Sequence, residues 1–128
     1  MTGTKVICDH GACSGCTVLF DKLPVNSCMT LAIDAIGHEV TTIEGLSADG
    51  EPHPLQSAFV KHDALQCGFC TPGMVMSAID LVLHGPHATE AEVREGLEGN
   101  LCRCTGYQNI VKAVLTAART MDAGRQPA

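Results

Sequence analysis

Cys8-Asp-His-Gly-Ala-Cys13-Ser-Gly-Cys16-Thr-Val-Leu-Phe20 is the stretch from which the rest of the chain can be read. Its first half is glycine and small or polar residues, poor material for a helix or a strand, and reads as a loop. Its second half, Thr17-Val18-Leu19-Phe20, is a short apolar run of β-favouring residues. Asp21-Lys22 reads as a turn, and Pro24-Val25-Asn26-Ser27 returns the chain towards Cys28. Three cysteines therefore share one loop, and a hairpin brings back a fourth.

A second block follows: Cys67-x2-Cys70, a long gap, then Cys102-x-Cys104. All 8 cysteines are accounted for by these two sets of four. The Cys8-x4-Cys13-x2-Cys16 spacing is the one that plant-type ferredoxins use for a [2Fe–2S] cluster, which takes four thiolates. Gly11 and Gly15 let backbone N–H groups approach the sulfurs, which favours the reduced cluster. A zinc site or a disulfide pair remains open for this block, although zinc more often uses two C-x2-C knuckles and only one is present. The second block is less specific. A C-x2-C pair also suits thiol redox chemistry, though no βαβ unit surrounds it, and Cys-x-Cys with Cys-x2-Cys also suits zinc.

The 128 residues suffice for one domain or two small ones, and small domains often need a staple of the kind metal centres supply. Glu39 to Ile43 is a further strand candidate, and the polar, turn-rich Ser47 to Pro54 reads as a linker. Beyond it the period becomes helical. Leu55, Ala58, Phe59, His62 and Leu65 share one face. Thr71-Pro72 reads as an N-cap and a first-turn proline, opening an apolar helix from Met74 to His84 that Gly85-Pro86 ends. Thr89 and Glu92 form a capping-box pattern for a third helix, closed by Gly99. Ile110, Val111, Val114, Leu115, Ala118 and Met121 are the stripe of a fourth, after Gly106, and the tail from Gly124 to Ala128 reads as frayed. The second half is thus expected to be a bundle of four short helices, with Cys67/Cys70 and Cys102/Cys104 in turns at one end. No internal repeat relates the two blocks.

A net charge of −6 and only 3% aromatic residues argue against a nucleic-acid partner. No apolar run approaches membrane-spanning length. The N-terminus has no signal-peptide core, which favours metal ligands over disulfides and a cytoplasmic location.

Three segments carry a resemblance: Cys8 to Leu19, Leu65-Gln-Cys-Gly-Phe-Cys-Thr-Pro-Gly-Met74, and Gly99-Asn-Leu-Cys-Arg-Cys-Thr-Gly-Tyr107. They resemble the iron–sulfur subunit of the xanthine oxidase family of molybdenum hydroxylases, over nearly the whole chain. The nearest flavour is the small subunit of bacterial three-subunit enzymes, of the carbon monoxide dehydrogenase and aldehyde dehydrogenase types. The resemblance implies an α+β chain in two parts. Residues 1–48 would be a β-grasp, plant-type ferredoxin-like domain, its cluster on Cys8, Cys13, Cys16 and Cys28. Residues 49–128 would be a four-helix-bundle domain, its [2Fe–2S] cluster on Cys67, Cys70, Cys102 and Cys104. It implies that Gln66 and Cys104 contact the pterin of a molybdenum cofactor held by a large partner subunit. It also implies that electrons reach FAD in a medium subunit, within a dimer of heterotrimers. Two departures stand out. Only seven residues precede Cys8, where the family carries a hairpin and a helix. Ser14-Gly15 replaces the commoner Gly-Ala, which affects the expected backbone geometry and not the ligands.

Other residues read more plainly. His10 is a loop residue beside a complete ligand set, Met74 and Met76 are helix packing, and Glu90, Glu92, Glu95 and Glu98 are a solvated face. Arg103 is placed to offset thiolate charge or to bond a neighbouring subunit. No catalytic grouping or phosphate loop appears, so electron transfer without substrate chemistry is the expectation. A free ferredoxin-like carrier and a zinc-stabilised interaction module are the rivals. The first predicts a self-sufficient polar surface, the second a colourless protein without sulfide.

Overall fold

The hairpin expected after the first cysteine loop is present. The computed structural model describes residues 1–47, 49–84 and 88–123. In it β1 (Thr17–Phe20) and β2 (Leu23–Asn26) pair antiparallel, Thr17 opposite Asn26 and Phe20 opposite Leu23. Asp21 and Lys22 turn the chain with φ of 47° and 71°, the doubly left-handed geometry whose twist matches the strands. Asp21 also receives the Glu39 N–H at 2.9 Å and lies 2.6 Å from His38 Nδ1, which docks the next strand.

That strand is shorter than the sequence suggests. Only Val40–Thr41 (β3) pairs, on the other side of β1 and again antiparallel, giving the order β2-β1-β3. From Ile43 the chain tightens into a 3-10 turn to Leu46, so the Glu39 to Ile43 candidate is extended over only part of its length.

Four helices follow among the described residues: α1 (Pro54–Lys61), α2 (Thr71–His84), α3 (Glu90–Gly96) and α4 (Gln108–Ala123). Three boundaries correct the sequence reading. His53 and Pro54 belong to α1 rather than to a linker: the His53 ring accepts the Leu55 N–H at 3.2 Å, and Gln56 Oε1 accepts the His53 N–H at 2.8 Å. α2 opens one residue early, with Thr71 its first residue and the Cys70 carbonyl accepting the Met74 N–H. α3 ends at Gly96, not Gly99, because Leu97 turns into the core as its C-cap. The capping box of Thr89 and Glu92 forms as expected. The Gly85-Pro86 stop and the tail from Gly124 lie outside the described residues.

α4 packs on α1, α2 and α3, while α2 also packs on β1 and β2. Leu55, Phe59, Met74, Met76, Ile110 and Val114 are almost fully buried, which settles Met74 and Met76 as packing residues. Leu65, expected on the α1 face, lies beyond the helix and is exposed, and Ala64 takes the buried place. At about 1.5–3 kcal/mol per large apolar side chain, the helices dominate the apolar stabilisation. The sheet contributes chiefly Val18 and Leu19. The result is a small α+β fold whose cysteine loops lie where sheet and helices meet.

Candidate metal centre

The first loop curls through left-handed backbone at Asp9, Gly11 and Ser14, with φ of 58°, 77° and 54°. Ser14 thus takes a conformation that glycine adopts more easily, which is the structural consequence of the Ser-Gly order. The curl aims N–H groups at sulfur: Ala12 donates to Cys8 Sγ at 3.3 Å, and Cys28 to Cys16 Sγ at 3.5 Å. Cys13 and Cys16 are buried, Cys8 and Cys28 half-buried. Cys8 neighbours Cys13, and Cys28 neighbours Cys16. His10 is exposed, its Nδ1 turned onto the Cys8 carbonyl at 2.6 Å, away from any ligand role.

The second set is assembled from two turns. Gly68, at φ 78°, reverses the chain between Cys67 and Cys70 just before α2. Cys102 and Cys104 lie between α3 and α4, in a turn braced by Tyr107. The Tyr107 hydroxyl accepts the Cys102 N–H at 2.7 Å and donates to the Asn100 carbonyl at 2.9 Å. Thr105 Oγ1 lies 3.0 Å from Cys102 Sγ and accepts the Tyr107 N–H. Cys67 and Cys104 stand 3.4 Å apart, sulfur to sulfur, and both are exposed. Cys70 and Cys102 form the inner pair, near neighbours and half-buried. Gln66 is exposed beside the outer pair, and so is Arg103.

The thiols are not electrostatically alike. Cys8 is lowered to about 6, first by the His10 N–H, then by Cys13, with the Ala12 and Cys13 N–H groups assisting against burial. Its hydrogen-bonded partners favour a thiolate at neutral pH. Cys28 is raised by its bond to Cys16 and by burial. Burial pushes Cys70 up to about 12, helped by Cys102. Cys102 itself is lowered: burial opposes, but the Thr105 hydroxyl and the Thr105 and Cys104 N–H groups outweigh it. Cys67 is lowered by the Phe69 N–H and Cys104, while Cys104 is raised by Cys67. In the second set each close pair thus holds one acidic and one reluctant thiol, and a metal that binds both must displace the reluctant one's proton.

The pairing bears on which metal fits. A single tetrahedral zinc at about 2.3 Å from each sulfur would hold four thiols mutually within roughly 3.8 Å. Among the described residues no group of three or more His, Cys, Asp or Glu side chains is placed to hold one ion. Each quartet is instead two close pairs within electrostatic reach of one another. Two pairs per site suit a two-iron centre in which each iron takes one pair.

Sequence reasoning missed Asn100, Tyr107, Thr17 and Ser77 as site residues. Asn100 and Tyr107 flank cysteines within the third motif, and that proximity was the available signal.

A small α+β fold that gathers eight thiols into two sets suits an iron–sulfur protein. Residues 42–115 match the family model of the [2Fe-2S] binding domain. The chain is 56% identical to the nicotine 6-hydroxylase small subunit of Paenarthrobacter nicotinovorans over 117 residues, 91% of this chain and 70% of that one. It is 47% identical to caffeine dehydrogenase subunit gamma of Pseudomonas sp. (strain CBB1), over 95% of this chain and 75% of that one. Its fold superposes on a chain of quinoline 2-oxidoreductase from Pseudomonas putida 86 with a TM-score of 0.92 and 45% identity, covering 98% of this chain and 78% of that one. The chain belongs to the [2Fe–2S] binding domain family, among the small iron–sulfur subunits of xanthine oxidase family molybdenum hydroxylases. It serves an oxidoreductase complex in electron transfer and not in catalysis.

Proposed function

We propose that this chain carries electrons from a molybdenum–pterin centre in a large partner subunit to FAD in a medium one, through two [2Fe–2S] clusters. Residues 1–48 form the ferredoxin-like unit and hold one cluster on Cys8, Cys13, Cys16 and Cys28. Residues 49–128 form the helical-bundle unit and hold the other on Cys67, Cys70, Cys102 and Cys104. Each cluster, when bound, accepts and returns one electron at a time.

The observation that carries this reading is the grading of the second set. Cys67 and Cys104 are exposed, Cys70 and Cys102 lie deeper, and the Leu101 N–H next to Cys102 donates to the Cys13 carbonyl at 3.1 Å. Surface, inner pair and first loop thus form one continuous line. Gln66 and Cys104, at its outer end, are the residues for the partner's pterin to approach. Exposed Met29, Leu31, Ile33 and Ile36 favour a subunit over a free carrier, because isolated proteins rarely leave such patches bare. Among the described residues no helix is long and apolar enough to cross a membrane. We place the complex in the cytoplasm, as a dimer of heterotrimers.

The test is iron, acid-labile sulfide and EPR of the reduced protein with its co-purifying partners. Iron and sulfide for two clusters, with two distinct [2Fe–2S] signals, supports the reading. Zinc without sulfide overturns it.

A further inference from the structure

Three segments that carry cysteines meet at one side chain. Asn100, only 5% exposed, lies two residues before Cys102. Its Nδ2 donates to Ser77 Oγ at 2.9 Å and faces the carbonyls of Gly73 at 3.4 Å and Ser14 at 3.5 Å. Ser14 follows Cys13, and Gly73 lies one turn beyond Cys70. The Ser14 carbonyl is held from its other side by the Thr17 N–H at 3.3 Å and hydroxyl at 2.8 Å. The Asn100 backbone is fixed as well, its carbonyl by Tyr107 and its N–H by Leu97. One residue along, Leu101 makes the hydrogen bond to Cys13.

The approach is close enough to exclude a side chain. A Cβ on Gly73 would overlap the Ser14 carbonyl oxygen and stand 2.8 Å from that of Gly15. Bare backbone therefore packs on bare backbone. The Asn100 amide adds a side-chain contact that reaches both the first cysteine loop and the start of α2 from the third cysteine segment.

We propose that Asn100 is a positioning residue for electron passage between the two cysteine quartets, fixing their separation by tying both loops to the N-terminus of α2. This rests on the two-cluster reading above. In the step it serves, one electron leaves the centre on Cys67, Cys70, Cys102 and Cys104, oxidising it. The same electron reduces the centre on Cys8, Cys13, Cys16 and Cys28. No proton moves and no bond is made or broken.

The experiment compares wild type, Asn100→Asp, Asn100→Ala and Ser77→Ala in the full chain with its co-purifying partners. Asn100→Asp keeps the shape but turns a carboxylate towards carbonyl oxygens. Iron and sulfide are measured first, then the magnetic splitting between the two reduced centres by low-temperature EPR, and their electron exchange by rapid mixing. Both Asn100 variants are expected to keep both signals, to change the splitting, and to slow exchange several-fold, because electron tunnelling weakens exponentially with the separation of the centres. Ser77→Ala, which removes one partner of the amide, is expected to lie between. A purely structural role would lower thermal stability and leave splitting and exchange unchanged, and that result overturns the proposal. If the Asn100 variants fail to load, Ser77→Ala decides: altered splitting supports the proposal, unaltered splitting overturns it. A wild-type protein without two signals overturns the two-cluster reading and the proposal with it. Two wild-type signals whose splitting ignores the amide overturn the proposal alone.

Discussion

Replacing Gly73 by alanine tests the packing of the cysteine loops with a result whose sign is unusual. In an exposed helix interior, Gly→Ala stabilises by about 0.8–1.0 kcal/mol, because glycine loses more backbone freedom on folding. Gly73 is instead buried in the first turn of α2, against the first cysteine loop. The added methyl would overlap the Ser14 oxygen, and it would meet the Gly15 oxygen at 2.8 Å and carbon at 2.9 Å. All three are backbone atoms, so no side chain can swing aside. Relief requires α2 and the loop to part, against the Ser77–Thr17 hydroxyl contact and the Asn100 amide that reaches both sides. Overpacking of this kind costs about 1–3 kcal/mol, and the lost loop contacts add to it. Set against the helix gain, we expect a net destabilisation of about 1–2 kcal/mol. Gly96→Ala is the matched control. Its methyl's three nearest neighbours would all be side-chain atoms of Leu81, which can shift more readily than backbone. Thermal midpoints of the loaded chain, taken at one scan rate, should fall clearly for Gly73→Ala and by much less for Gly96→Ala. A Gly73→Ala protein as stable as wild type, with full iron content, would refute the packing argument.

Further outcomes follow from individual side chains. Tyr107→Phe strands the Cys102 N–H and the Asn100 carbonyl, so it should cost roughly 1–3 kcal/mol and lower iron retention at the second set, read as selective loss of one EPR signal. Cys13→Ser and Cys102→Ser should each abolish one signal and spare the other, and loss of both from either variant would argue for a single shared centre. Glu44 is held down to about 2 by the Gly3 N–H and the Thr42 hydroxyl. Because its folded value lies below its unfolded one, the stabilisation is complete above about pH 4.5 and is lost as pH falls towards 2. Hydrogen exchange at the Gly3 amide should accelerate over that window relative to its neighbours, and Glu44→Gln should flatten the profile.

The parts of this structure that were legible in the sequence rest on short-range rules. The β1–β2 hairpin follows from an apolar run, a two-residue turn and a return. The α3 start follows from Thr89 and Glu92, and the α4 stripe from its period. The parts that were not legible depend on distant partners or on unusual residues. Histidine is a rare helix cap, so Ser47 to Pro54 looked like linker although His53 and Gln56 satisfy each other's end of α1. β3 is short because the chain tightens into a 3-10 turn from Ile43, two residues past Thr41. Asn100 reaches a partner 86 residues away, a contact that no local pattern announces. At the candidate centre the eight cysteines were evident from spacing, whereas their division into outer and inner pairs required the fold.

That division bears on how an acidic chain holds eight thiols. The net charge is −6, and within the second set Cys70 and Cys104 are raised beside Cys102 and Cys67. Cations are not the main remedy. Lys5 lies over the Phe69 ring, 5.8 Å from its centre, and among the described residues none of the hydrogen bonds to the cysteine sulfurs comes from a basic side chain. Besides neighbouring thiols, the donors are backbone N–H groups and the Thr105 hydroxyl. Such dipoles are fixed by the fold, so they stabilise negative charge at sulfur without adding a counter-charge that moves or is screened by salt. Their strength depends on the loop geometry that Gly11, Gly68 and the Asn100 junction maintain. A change in that geometry would therefore be felt in charge stabilisation as well as in packing. Substitutions at the junction should move the reduction potentials of both centres, whereas charge reversals on the exposed α3 face, such as Glu95→Lys, should leave them nearly unchanged.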